Sequence, residues 1–389
     1  MTKAEPARRK IVVCMDTPGW GGAEYDLGRL MAAGAFRPDM LLISPFADSR
    51  LLDLADRFKL NLIRHHSTNR LSGLARGLVS AARLKVTHPD TIWIFWCHHL
   101  DSNRWLQFGF AILGMDFILS ERICANSRDE FRDSRLSIPL KRFAAWKSLA
   151  VVFCGYKQPA LFERIFDVRP GIATTIPNSR DVGKIVGEVS ARQAEALLLR
   201  AKHGFGATPV FFCSGRLAPE KNFKAAILAF QLYVEAGGKG HLVIAGEGPE
   251  KGNLLALINA RNQGKIHLVG YQSDMILWLS VADVFILPSY GEGVSGALIE
   301  AMAAGLPCLA SDITGNRELV HHQKTGLLFP ADDHGQLARN MARVCTEAEL
   351  VSPMGRAAHA LVLEKYDISV ELCRWRSLLS HTGSRNKAI

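Results

Sequence analysis

The sequence predicts an α/β protein of two domains, each built on a parallel sheet with helical crossovers. Short apolar runs alternate with helix-like segments along the whole chain, the sign of strands joined by helices. A length of 389 residues with 48% apolar content exceeds one ordinary core and suits two. Near residue 180 the run IPNSR, Ile176 to Arg180, places Pro and Asn where a chain leaves a sheet.

In the first half, Ile11 to Met15 reads as a strand, followed by the turn-rich DTPGWGG and a helix from about Ala23. Met40 to Ser44, Leu60 to Arg64, Thr91 to Trp96, Phe117 to Leu119 and Val151 to Cys154 are the further strands of this domain. A polar helical segment from about Glu188 to His203 and the loop GFGATP lead into a new strand, Val210 to Cys213. His241 to Ala245, Ile266 to Val269, Val284 to Leu287 and Pro307 to Ala310 continue the alternation. The expected domains are 1–180 and 181–370, with 371–389 a helix returning toward the first domain and then a tail.

The longest apolar stretch, Phe108 to Leu119, is interrupted by Asp116 and falls well short of the ~20 residues a membrane span needs. The opening MTKAEPARRKIVVCMD lacks the apolar segment and cleavage site of a signal peptide, so the chain is expected in the cytosol. Eight scattered cysteines with no C-x-x-C pair read as reduced and mostly buried, without a zinc site.

Charge is divided unevenly. Residues 1–180 hold 26 Lys+Arg and 17 Asp+Glu, 26 − 17 = +9, of the chain's net +10; the remainder carries 21 − 20 = +1. The excess concentrates from Glu121 to Lys147, where Arg122, Arg128, Arg132, Arg135, Lys141, Arg142 and Lys147 outnumber four acids. This reads either as a solvated helical face or as a contact for an anionic partner: a membrane surface, a lipid phosphate or nucleic acid.

The strongest chemical signal is PSYGEGVSGALIEAMAAGLPCLASD, residues 288 to 312. A strand gives way to a Gly-rich turn that opens a helix near Ser295, presenting unpaired N–H groups and a positive dipole end suited to a diphosphate. Glu292 in the turn and Glu300 within the helix stand eight positions apart, so two carboxylates can grip hydroxyls at opposite ends of one ligand. Glutamates at this spacing also occur on many solvated helices, and two further segments give the pair its weight. SGRLAPEKNF, Ser214 to Phe223, places Arg216 and Lys221 in a strand-to-helix turn, where they can bond phosphates. IAGEGPE, Ile244 to Glu250, puts Gly246 and Gly248 after a strand.

These segments, with ADVFILPS at 282 to 289, the Glu292/Glu300 motif and EAMAAGLPCLAS, resemble the donor half of glycosyltransferases with the GT-B fold, specifically retaining family 4, over most of residues 208 to 330. The resemblance implies two Rossmann-like domains facing across a cleft, and a hexosyltransferase-type enzyme moving a sugar from a nucleotide-sugar, a UDP-sugar by family frequency, with retention. It implies that Glu292 meets the donor sugar, Glu300 the ribose, and Arg216 and Lys221 the diphosphate. The turn Gly293, Val294, Ser295, Gly296 and Ala297 would offer backbone N–H groups, and Gly270 and Tyr271 would line the base. In the first half it implies that Gly21 and Gly22 approach the substrates and that His99, with His98 as the alternative, contacts the sugar. No metal or other cofactor is expected, since a D-x-D motif is absent.

The implied acceptor is a glycan or lipid-linked glycan of cell-envelope polysaccharide synthesis, reached at the inner face of the cytoplasmic membrane. Where the family often has Asn-Gly-Val-Asp, this chain has Asn178-Ser179-Arg180-Asp181, and it has Gly155 in place of a serine after VVFC. Both departures fall outside the donor motifs and are expected to alter acceptor geometry. Rival classes are an NAD-dependent oxidoreductase, which lacks its G-x-G-x-x-G fingerprint here, a nucleic-acid-binding protein, for which no motif appears, and a GT-B-fold nucleotide-sugar epimerase.

Overall fold

Strand β1 (Lys10–Met15) shows how the first sheet is made. Val12 and Cys14 pack to one side and Ile11, Val13 and Met15 to the other, all buried, because successive side chains on a strand face opposite ways. A strand apolar on both faces needs cover on both, which is why helical crossovers and parallel strands occur together. The computed structural model describes residues 9–15, 22–34, 38–43, 49–64, 74–97, 104–122, 124 and 137–384. These form two compact units, residues 1–177 with 371–389, and residues 178–370.

In the first unit β1 is joined by β2 (Met40–Ile43), β3 (Asn61–Arg64), β4 (Thr91–Cys97), β5 (Phe117–Glu121), β6 (Ala150–Phe153) and β7 (Ala173–Thr175), all parallel, in the order β3-β2-β1-β4-β5-β6-β7. The three-residue edge strand β7 is too short to announce itself in sequence. From Glu371 onward the helix Ile368–Ser384 belongs to this unit. Its Trp375 is fully buried and stacks on Trp96, ring centres 5.7 Å apart. Its buried Glu371 receives Arg29 at 2.7 Å and Arg122 at 3.5 Å, the pairing a buried carboxylate requires.

Arg122 also lies over the Trp96 ring at 4.4 Å. The expected basic cluster is thus buried in part. Arg122 and Lys141 are buried, Arg142 pairs with Asp167 at 2.6 Å, and Arg128, Arg132 and Arg135 lie outside the described residues. Ile138 and Phe143 pack against the core, whereas Trp146 is exposed beneath the Lys147 ammonium, 4.3 Å from the ring.

The second unit carries β8 (Val210–Ser214), β9 (His241–Ala245), β10 (Ile266–Gly270), β11 (Val284–Leu287), β12 (Cys308–Ser311) and β13 (Leu327–Phe329), parallel and ordered β10-β9-β8-β11-β12-β13. The polar segment read as one helix is two, Val182–Ala191 and Gln193–Lys202, separated at Arg192 (φ −100°, ψ 14°). Five of the described cysteines, Cys14, Cys124, Cys154, Cys213 and Cys308, are buried thiols.

Three histidines gather at the starting ends of β9 and β10. His241 Nδ1 and His267 Nε2 are 3.2 Å apart, His203 approaches His267, and Phe205 packs against all three. Burial pushes His267 down to about 4, with the charges of His241 and His203 adding, and burial also lowers His203 and His241. An unfolded imidazole titrates near 6.5, so between about 6.5 and 4 the unfolded chain binds more protons than the folded one. Stability is therefore expected to fall as pH drops through that window. Urea midpoints measured from pH 7 to pH 4.5 test this, with His267→Phe expected to flatten the slope; a parallel slope in the variant would defeat the assignment.

Candidate functional site

Strands β8 and β11 are neighbours, yet the chain leaves β8 toward β9 on one side and β11 toward β12 on the other. Loops that diverge in this way leave a crevice at the carboxyl ends of the strands, the usual ligand position in open α/β sheets. Two side chains span it. Lys221, from the loop after β8, donates to Glu292 Oε1 at 2.6 Å from the loop after β11, and Ser289 Oγ donates to the same oxygen at 2.6 Å. The Glu292 side chain is 9% exposed and Lys221 24%, so the pair is largely desolvated but reachable. The loops are also tied through backbone, Tyr290 N to Glu220 O at 2.9 Å.

Asn222 makes the sharp exit from the first loop. It adopts a left-handed conformation (φ 49°) that Asn tolerates, and its buried amide donates to the carbonyls of Pro288 and Ala331 at 3.2 and 3.1 Å. Arg216 stands apart. Its side chain is 65% exposed and ion-paired to Glu220. Burial alone would raise the Glu220 carboxyl, but its backbone hydrogen bond, Arg216 and the Lys221 charge bring it below the ordinary carboxylate value.

The Gly-rich turn runs into the helix Gly296–Ala303, with Ser295 at its N-cap and no side chain capping it. The first-turn N–H groups thus keep their capacity for an anion. Glycine is required close by at Gly315, where a Cβ would fall 2.1 Å from Gly293 O and 2.4 Å from Glu292 O. Beneath the turn, buried Asn316 donates to Ser311 O at 2.9 Å, and Ser311 Oγ donates to Ser289 O at 2.5 Å. Sequence reasoning passed over Ser289, Ser311, Gly315 and Asn316, though a Ser-Asp and a Gly-Asn following β12 were there to be read.

Gly246 is demanded by packing. With φ 151° it lets β9 end against the loop after β8, where a Cβ would meet Gly215 O at 1.8 Å. Gly246 N donates to Gly270 O at 2.7 Å, and Gly270 has φ 72°. The Tyr271 that follows is 76% exposed. The structure thus brings Lys221, Glu292, Gly293 to Ala297 and Glu300 into one region and puts Gly246, Gly270 and Tyr271 on the adjoining strand ends. Gly22 opens the helix Gly22–Ala32, while Gly21, His98 and His99 lie outside the described residues.

One expectation is corrected. Within Asn178–Asp181 the departure at Arg180 touches the donor motif directly, its Nε donating to Glu300 Oε1 at 2.5 Å, while Asn178, the residue the family also has, donates from Nδ2 to Val294 O at 2.8 Å. The reason lies in the backbone. Arg180 N and O pair with Tyr366 O and Ile368 N at 2.9 and 2.8 Å, holding the segment in the second unit, which begins at Asn178.

Residues 197–360 match the family model described as glycosyl transferases group 1. This segment is a group 1 glycosyltransferase domain. It holds every one of the second-unit site residues except Asn178 and Arg180. The chain is 29% identical over 185 residues to alpha-D-kanosaminyltransferase of Streptomyces kanamyceticus, covering 47% of each chain. It is 28% identical over 207 residues to the UDP-Gal:alpha-D-GlcNAc-diphosphoundecaprenol alpha-1,3-galactosyltransferase of Escherichia coli, covering 52% of each. The alignments thus span about half the length of these curated relatives. Among solved structures, Anabaena Alr3699/HepE in complex with UDP superposes with a TM-score of 0.77 at 18% identity, over 96% of this chain and 100% of that one. The group 1 domain and the unit before it therefore have the GT-B fold, two Rossmann-like parallel-sheet units.

Proposed function

We propose that this chain is a retaining glycosyltransferase that moves a sugar from a UDP-sugar to a glycan or lipid-linked acceptor. The observation that carries the proposal is the Lys221–Glu292 pair across the β8/β11 crevice, beside an uncapped helix N-terminus with Glu300 on the same helix. In this reading Glu292 takes donor-sugar hydroxyls and Glu300 the ribose. Lys221, Arg216 and the N–H groups of Gly293 to Ala297 take the diphosphate, with Gly246, Gly270 and Tyr271 along the base. The bond from the sugar's anomeric carbon to the diphosphate oxygen breaks while the acceptor oxygen bonds to that carbon on the same face. The acceptor's proton passes to the departing phosphate, whose new charge meets Lys221 and the helix terminus. His99, Gly21 and Gly22 are assigned to the sugar and acceptor side. Support for the donor class comes from the UDP bound by HepE and the UDP-Gal in the name of the Escherichia coli relative. Release of UDP from a panel of UDP- and GDP-sugars, with and without lipid-linked glycan acceptors, tests it; an epimerised nucleotide-sugar formed without acceptor would instead favour an epimerase.

The acceptor is assigned to an anionic membrane surface. In the first unit the helices Leu74–Thr87, Arg104–Ile112 and Ser137–Lys147 lie side by side over one face of the sheet and contain seven basic residues and no Asp or Glu. Their outer sides expose Arg76, Val79, Arg83 and Val86, then Ile112, then Trp146 and Lys147, apolar residues interleaved with cations. At about 1 kcal/mol per basic residue near an anionic surface, three or four such contacts give reversible recruitment. No helix among the described residues is long and apolar enough to cross a membrane. Co-sedimentation is expected with anionic vesicles and not neutral ones, fading at high salt and in Arg76→Glu/Arg83→Glu. Equal binding to both vesicle types, or none at low salt, would remove the membrane assignment.

A further inference from the structure

Arg180 is a cation in an unusual place. It is buried, and its guanidinium lies beside the first turn of the helix Gly296–Ala303, so close that a Cβ at Gly296 would fall 1.7 Å from its Nη2. The positive end of a helix dipole favours an anion there, so stability alone would not select this position for an arginine. What the guanidinium gains is Glu300. Nε donates to Glu300 Oε1 at 2.5 Å, and Nη1 donates to Ser179 O at 2.8 Å, which fixes the plane of the group. Among the described residues no group donates to Glu300 Oε2, so one carboxylate oxygen is held and the other is left for a ligand.

We infer that Arg180 is a positioning residue for Glu300, clamping one carboxylate oxygen so that the other meets the ribose of the nucleotide. The inference rests on the reading of Glu300 given under Proposed function. A glutamate on a helix samples several rotamers, and freezing it on binding weakens affinity. An arginine that holds it beforehand, from a segment itself tied by backbone to residues 366 and 368, removes that cost before the ligand arrives. Glycine at 296 is what gives the guanidinium room, so the Gly-rich turn serves this contact as well as the anion.

The test is a double-mutant cycle on the full chain, with UDP as the probe and calorimetry as the readout. Arg180→Met is expected to weaken UDP binding about tenfold, and Glu300→Gln at least as much. The double variant should match Glu300→Gln within about twofold, because a clamp has no effect once its target is gone. Arg180→Lys, which keeps the charge, should recover part of the loss. If Arg180→Met fails the thermal-unfolding control, Arg180→Gln and Arg180→Lys carry the same cycle. UDP affinity unchanged in the Arg180 variants while Glu300→Gln is weakened overturns the clamp and leaves the ribose role standing. Losses that multiply in the double variant, or tighter binding without Arg180, overturn it too. No loss in Glu300→Gln, or no UDP binding by the parent chain, defeats the underlying reading of the site instead.

Discussion

Lys221→Ala is expected to lower turnover with a matched donor about ten- to more than a hundredfold, the loss of one charge-assisted contact of ~1.5–3 kcal/mol to the leaving group. The geometry adds a second cause. Lys221 is the cation that pairs with Glu292 Oε1 at 2.6 Å, and without it that carboxylate keeps, among the described residues, Ser289 Oγ alone and faces the departing diphosphate as a like charge. Arg216→Ala should cost about tenfold, at the lower end of that range. Arg216 is exposed and its Glu220 pair contributes little by itself, so only the donor contact is lost. Circular dichroism should show both variants folded, because neither side chain belongs to the apolar core. Turnover of both within twofold of the parent would defeat the diphosphate assignment.

Glu292→Gln and Glu300→Gln should fail in different ways. Glu300→Gln is expected to damage nucleotide affinity, since its assigned partner is the ribose, which does not move during transfer. Glu292→Gln is expected to leave UDP affinity close to the parent value and to lower turnover about a hundredfold, since its assigned partner is the sugar on which charge develops. The structure gives each a distinct support, Arg180 for Glu300 and Lys221 with Ser289 for Glu292. Calorimetry with UDP beside steady-state kinetics separates the two effects, and equal loss of UDP affinity in both variants would sink the division of roles.

Much of the second unit is legible in sequence because its signals are local. The β8, β9, β10 and β11 runs are apolar, short and bounded by Gly, Pro or Asp, and the turn that opens the helix at Gly296 is marked by its own glycines. The first unit shows the limit of that logic. The Arg122–Lys147 stretch reads as one basic patch, but burial is a property of packing. Arg122 turns inward to Trp96 and Glu371, the latter some 250 positions away along the chain.

The sequence alone determined the α/β class, the alternation that makes two parallel sheets, and the placement of Lys221 and Glu292 in turns after strands and of Glu300 in the helix that follows. Each of these depends on periodicity and spacing within a few tens of residues. Only the tertiary structure decided that β8 lies beside β11, so that Lys221 and Glu292 meet at 2.6 Å across 71 positions. It alone decided that Arg180 reaches Glu300 across 120 positions, and that Arg216 pairs at the surface. The reason is physical: contacts between distant segments follow from strand order and from which backbone groups must pair, and neither is written in the local pattern of any one segment.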